Sequence, residues 1–123
     1  MERILVVDDQ RIQAELVGGL LRNLGYEVSI VLDPREALER VRIAPPDLLI
    51  SDIVMPGMDG IALALKATKD RPALPVVLMT GFAAERQRAH NLDALIDRVV
   101  SKPFSLKEIC AVVDDALQAR GIA

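Results

Sequence analysis

Asp8-Asp9, Asp52, Thr80 and Lys102 are four polar islands that could make up one reactive site. Each island ends an apolar run. Ile4-Leu5-Val6-Val7 leads to Asp8-Asp9, Leu48-Leu49-Ile50-Ser51 to Asp52, Val76-Val77-Leu78-Met79 to Thr80, and Val99-Val100-Ser101 to Lys102. Runs of this kind read as buried parallel strands. In an open α/β sheet, ligands bind at the carboxyl ends of the strands. If the first and third strands are neighbours, three carboxylates converge, repel one another and raise one another's pKa values. A divalent cation or an ammonium would relieve that repulsion, and Lys102 can supply the ammonium. Oxygen-only donors, without His or Cys, favour Mg²⁺. The set suits phosphoryl transfer, which needs the phosphoryl oxygens neutralised and the nucleophile held in line. Asp52 is the candidate nucleophile, since carboxylates form aspartyl phosphates. Mg²⁺ would cover one phosphoryl oxygen, Lys102 a second, and Thr80 with nearby backbone N–H groups a third.

Taken singly, each residue has a plainer reading. Asp8 or Asp9 could cap the first helix, Asp52 could be a loop carboxylate, Thr80 an ordinary strand-end residue and Lys102 a solvated cation. It is the ordered conjunction of the islands, each at a strand end, that points to one site.

Five alternating strand and helix signals must position these groups. Strand 1 is expected over Arg3–Val7. A helix follows, with a stripe of Ile12, Leu16, Leu20 and Leu24 widened by Val17 and Leu21, and Gly25 just past its end. Gly18 and Gly19 inside it each cost about 1 kcal/mol against Ala, which close approach to the sheet would explain. Strand 2 spans about Glu27–Leu32. Asp33-Pro34-Arg35-Glu36 then supplies an N-cap, an N1 proline and a capping-box glutamate for a helix ending near Ile43. Strand 3 is Asp47–Ser51, and Pro56-Gly57 makes a turn. Asp59 caps a third helix through Ile61, Leu65 and Thr68. Strand 4 begins after Pro75. Ala83–Leu92 is a weak helix, either a loosely packed element or a solvated helix with a narrow apolar face. Strand 5 is near Arg98–Ser101. Ser105-Leu106-Lys107-Glu108 is a second capping box, opening a helix with the stripe Leu106, Ile109-Cys110, Val113 and Leu117, ended by Gly121. Five β-α units in series give a parallel sheet with helices on both faces.

The 123 residues suit one domain, 1–123, with no linker or internal repeat, and the Met1 start suggests a stand-alone chain. Tyr26, Phe82 and Phe104 are the only aromatics, so the core is aliphatic and stacking platforms for single-stranded nucleic acid are missing. A net charge of −3 argues against direct nucleic-acid binding. The lone Cys110 forms no internal disulfide and reads as a small buried hydrophobe in a reducing cytoplasm. No signal peptide opens the chain, and no apolar run approaches the roughly 20 residues that span a bilayer.

The stretches ILVVDD, LLISDIVMPGMDG, VVLMTGF and VVSKPF closely resemble the receiver domain of two-component response regulators. The resemblance covers essentially the whole chain. It implies a flavodoxin-like fold with strand order 2-1-3-4-5 and five helices, an order for which the receiver CheY is a standard example. By matching position, Asp52 is the phospho-acceptor. Asp8 and Asp9 are the Mg²⁺ acids, joined by Asp52 and by the backbone carbonyl of Val54. Thr80 and Lys102 are the switch hydroxyl and the phosphate-pairing lysine, and the Lys102–Pro103 peptide is cis. The implied donor is a histidine kinase or a histidine phosphotransfer protein. The implied output is a protein effector on the face of the fourth helix, fifth strand and fifth helix. The stretches DIVMPGMDGIALA, TGFAA and SKPF also resemble the CpdR-type single-domain receivers, and similar segments occur in receivers fused to hybrid kinases.

Two departures bear on output. Many receivers carry Tyr or Phe three residues before the lysine, and here that position is Val99, so paired threonine movement and aromatic burial cannot operate in the usual form. Leu95-Ile96 stands near the place of the customary Gly-Ala pair; Phe82 is a possible substitute for the aromatic or a packing residue. Two other functions compete. An aspartate-nucleophile phosphatase usually carries Asp-x-Asp, and here Val54 replaces the second acid. A flavin carrier would need a phosphate-cradling loop after strand 1, where Asp8-Asp9 would instead repel the phosphate.

Overall fold

The computed structural model describes residues 2–81 and 98–119. Five parallel strands form one sheet: β1 Arg3–Val7, β2 Glu27–Val31, β3 Leu48–Asp52, β4 Val76–Thr80 and β5 Arg98–Ser101. Their order is β2-β1-β3-β4-β5, the flavodoxin-like arrangement expected. Among the described residues there are four helices: α1 Arg11–Asn23, α2 Pro34–Ile43, α3 Gly60–Asp70 and α4 Leu106–Ala119. The expected helix at Ala83–Leu92 lies outside the described residues, as do Phe82, Leu95-Ile96 and Gly121. Asp52 and Thr80 are the last residues of their strands rather than the first residues beyond them.

The period of two in the strands decides the layers. Leu5, Val7, Leu49, Val76 and Leu78 face one way and pack with Ala37, Leu38 and Val41 of α2 and Leu63, Ala64 and Ala67 of α3. Ile4, Val6, Leu48, Ile50, Val77 and Met79 face the other way and pack with Ala14, Val17 and Leu21 of α1 and Ile109, Val113, Ala116 and Leu117 of α4. Covered on both faces, β3 and β4 are buried at every residue. β2 lies at the sheet edge and is only partly buried.

Caps fix where the helices begin. The Asp33 carboxylate accepts from the Arg35 N–H at 2.9 Å, and Pro34 opens α2. Glu36, expected to close a capping box there, pairs along the helix with Arg40. Asp59 accepts from the Ala62 N–H at 2.8 Å and starts α3. At α4 the box is reciprocal, since Glu108 N–H donates to Ser105 Oγ and Ser105 N–H donates to the Glu108 carboxylate.

The helix stripes differ from expectation in three places. In α1 the buried residues are Ala14, Val17, Gly18 and Leu21, while Ile12 and Leu16 are exposed at 77% and 64%. Small residues bring the helix close to the sheet: a Cβ on Gly18 would sit 2.9 Å from Ile30 Cδ1. Gly19 faces open space, so close approach does not explain it. In α3 Leu65 is exposed beside the buried Leu63, Ala64 and Ala67, and in α4 Leu106 is exposed. Cys110 is half-buried rather than a core residue.

Candidate functional site

β1 pairs with β2 on one side and β3 on the other, so the connections diverge there and leave a crevice at the carboxyl edge. Asp8 enters it directly from β1. Its N–H donates to the Val31 carbonyl at 3.2 Å, and its Oδ1 accepts from the Gln10 N–H at 3.0 Å. That second bond turns the chain into α1. The N-cap of α1 is Gln10, whose side chain makes no capping bond, so neither Asp8 nor Asp9 caps the helix in the ordinary sense. The Asp8 side chain is fully buried, and its Oδ2 has no hydrogen-bond partner among the described residues. Burial pushes the Asp8 carboxyl above its usual range. The Gln10 N–H pulls it back, the Asp52 charge raises it again, and Lys102 and Asp9 add smaller opposing effects.

Asp52 closes β3 opposite Met79. Lys102 follows β5, and its backbone N–H donates to the Thr80 carbonyl at 2.8 Å. Its ammonium lies 2.6 Å from Asp52 Oδ1, with the two side chains 27% and 11% exposed. The same Nζ donates to Gln13 Oε1 at 2.9 Å. The Lys102–Pro103 peptide is cis, as the resemblance implied. Thr80 is buried at the end of β4, in register with Ser101.

The loop after β3 is folded tightly under the site. Ile53 N–H donates to the Met79 carbonyl at 3.0 Å, and Gly60 N–H donates to the Ile53 carbonyl at 2.8 Å. Gly57 takes φ +83°, which favours glycine. Met55 is buried, whereas the Val54 side chain is about half exposed beside the site. Gly60 is a steric necessity: an added Cβ would meet the Asp52 carbonyl oxygen and lie 2.9 Å from Ile53 Cα. Neither is a side chain that can rotate away. Gly60→Ala is therefore expected to cost about 3 kcal/mol, the upper end for overpacking. A lower urea midpoint at unchanged slope checks this.

One carboxylate oxygen from each of Asp8, Asp9 and Asp52 lies within 4.8 Å of the others. The donor set is all oxygen, which suits a hard divalent cation. The buried, unpartnered Oδ2 of Asp8 is the kind of atom such an ion would satisfy. Thus Asp8, Asp9, Asp52 and Lys102 converge as the sequence suggested, with Thr80 and Val54 on the adjoining segments. Gln13 is the residue that sequence reasoning missed. A neutral amide in the first turn of a helix carries no signal until the fold sets it against Lys102.

The family profile described as "Response regulator receiver domain" matches residues 4–114. The response regulator receiver protein CpdR of Brucella abortus is 38% identical over 120 residues, covering 97% of this chain and 99% of that protein. The probable transcriptional regulatory protein TcrX of Mycobacterium tuberculosis is 34% identical over 97% of this chain, which spans only 51% of TcrX. The CheY-like receiver domain protein of Methanospirillum hungatei superposes with a TM-score of 0.90 at 29% identity, covering 98% of this chain and 97% of that one. With the strand order, the acidic crevice and the Asp52–Lys102 pair already in place, these matches give one conclusion: the chain belongs to the response regulator receiver domain family of two-component systems.

Proposed function

We propose that this receiver accepts a phosphoryl group on Asp52 in a Mg²⁺-dependent reaction and thereby switches its protein contacts. The observation that carries the reading is the Lys102 ammonium 2.6 Å from Asp52 Oδ1, set among three carboxylates. A carboxylate oxygen of Asp52 attacks phosphorus, and the new O–P bond forms as the P–N bond to a donor phosphohistidine breaks. The electron pair of that bond stays on the imidazole nitrogen. Lys102 balances negative charge on the phosphoryl oxygens, and the Thr80 hydroxyl, at the end of the neighbouring strand, is assigned to a further oxygen. Asp8, Asp9 and Asp52, with the Val54 carbonyl, are the residues that would hold Mg²⁺, which when bound neutralises phosphoryl charge.

Val54 supports an acceptor rather than an enzyme acting on a separate substrate. It stands where an aspartate-nucleophile phosphatase carries its general acid, so release of the Asp52 phosphoryl group is slow. For the donor we assign a histidine kinase or histidine phosphotransfer protein. An apolar groove of about 560 Å³, lined by Leu16, Val17, Leu20, Pro103 and Phe104, opens beside Lys102 and supports docking of such a protein next to Asp52. Exposed Ile12 and Leu16 extend the apolar surface of α1. The phosphoryl group then biases a two-state equilibrium through its differential contacts. Output is assigned to the face that includes β5 and α4, where Val99 is half-buried against the Leu5–Leu78 cluster. Among the described residues, no helix is long and apolar enough to cross a membrane, and on this reading the working compartment is the cytoplasm.

Intact-mass measurement after incubation with Mg²⁺ and acetyl phosphate tests the reading. A gain of one phosphoryl group is expected. An unchanged mass, or steady turnover of a phosphate monoester, contradicts it.

A further inference from the structure

Lys102 is held from two sides. One side is Asp52 Oδ1 at the end of β3; the other is Gln13 Oε1, 2.9 Å from Nζ, in the first turn of α1. We infer that Gln13 is a positioning residue whose amide oxygen fixes the Lys102 ammonium beside Asp52 before a phosphodonor arrives, and so sets the rate of Asp52 phosphorylation. The inference rests on the phospho-acceptor reading of the site.

Lysine carries a compact ammonium with three donors on a flexible stem. An ammonium held only by Asp52 would sample several rotamers, and that freedom would be lost each time it engaged an incoming phosphoryl oxygen. Gln13 removes part of the freedom in advance. It stands on a rigid element, because Asp8 turns the chain into α1 and the buried Ala14 and Val17 seat that helix on the sheet. The bond lies at the edge of the apolar groove that Leu16, Leu20 and Phe104 also line, and it is partly buried. The choice of amide matters. Glutamine takes a donor from the ammonium without neutralising its charge, whereas a carboxylate would compete with Asp52 for the cation. Two of the three N–H groups are engaged, and the third is available to the phosphoryl group.

The test is a double-mutant cycle of Gln13→Leu and Lys102→Met, read as the rate of phosphorylation by acetyl phosphate with Mg²⁺. Gln13→Leu is expected to slow the wild type about tenfold, equivalent to about 1.4 kcal/mol at the transition state. In the Lys102→Met background it is expected to have no further effect. Equal slowing in both backgrounds, or none in either, overturns the inference. The ¹⁵N-lysine resonance of the Lys102 ammonium gives a readout independent of phosphorylation. It is expected to shift in Gln13→Leu, and an unchanged resonance also overturns the inference. A wild type that takes no phosphoryl group, with the resonance shifted as expected, would instead remove the phospho-acceptor reading and leave the tether standing.

Discussion

Asp52→Asn is expected to abolish phosphoryl uptake from acetyl phosphate, with the rate falling at least about a thousandfold; loss of a nucleophile can cost as much as about a millionfold. The reason is electronic rather than steric. The amide has nearly the same shape, but its oxygen is a poor nucleophile and it carries no charge to hold Lys102. The ammonium, now 2.6 Å from Asp52 Oδ1 and 2.9 Å from Gln13 Oε1, would retain only the second partner at full strength. The substitution also removes one of the charges that push Asp8 upward, so the Asp8 carboxyl moves back toward its ordinary range. The two effects separate by measurement: intact mass reports the nucleophile, and NMR titration of the Asp8 carboxyl reports the charge. Uptake by Asp52→Asn at the wild-type rate would transfer the nucleophile's role to another residue.

Asp8→Asn is expected to act in opposite directions with and without a divalent cation. Without one, the variant is expected to be more stable at neutral pH by about 1–3 kcal/mol, because an unpartnered neutral amide costs less to bury than an unpartnered carboxylate. Asp8 is fully buried with Oδ2 unpartnered, and burial raises its pKa above 3.8. A carboxyl whose folded pKa exceeds its unfolded value binds its proton more tightly when folded. The ionised group therefore opposes folding above the folded pKa, and this penalty fades as pH falls through the interval down to about 3.8. Wild type should accordingly gain stability from Asp8 on mild acidification, and Asp8→Asn should lack that component. With Mg²⁺ the order reverses. A ligand that binds only the folded state raises its stability by mass action, so wild type should melt higher while the variant shows little change. Thermal melts at two pH values with Mg²⁺ or a chelator check both signs.

The sheet and its polar ends were legible because their signals are strong and local. Apolar runs such as Val76–Met79 have few alternatives to a strand buried on both faces, and each ends in a side chain that cannot stay in the core unpaired. The caps at Asp33, Asp59 and Ser105 were legible for the same local reason. α1 was not. Ile12, Leu16 and Leu20 form an apolar row, but the buried face runs through Ala14, Val17, Gly18 and Leu21. Small residues add little to a hydrophobic pattern even when they decide how closely a helix approaches the sheet. Leu16 and Ile12, excluded from the core, remain exposed, and Leu16 lines the groove beside Lys102. The convergence of Asp8, Asp9 and Asp52 depended on β1 and β3 being neighbours, which strand signals alone do not specify and the topology supplies. Gln13 was invisible because its meaning lies in a contact 89 residues away along the chain.

On the proposed reading, the polar strand ends form one Mg²⁺-dependent acceptor site with Asp52 as its nucleophile. Peptide mapping after treatment with acetyl phosphate, in Mg²⁺ and in a chelator, is the decisive measurement. A single phosphoryl group on the peptide containing Asp52, formed only with Mg²⁺, is the predicted result. A phosphoryl group on a peptide lacking Asp52, or equal labelling in the chelator, would rule out a Mg²⁺-dependent acceptor at Asp52.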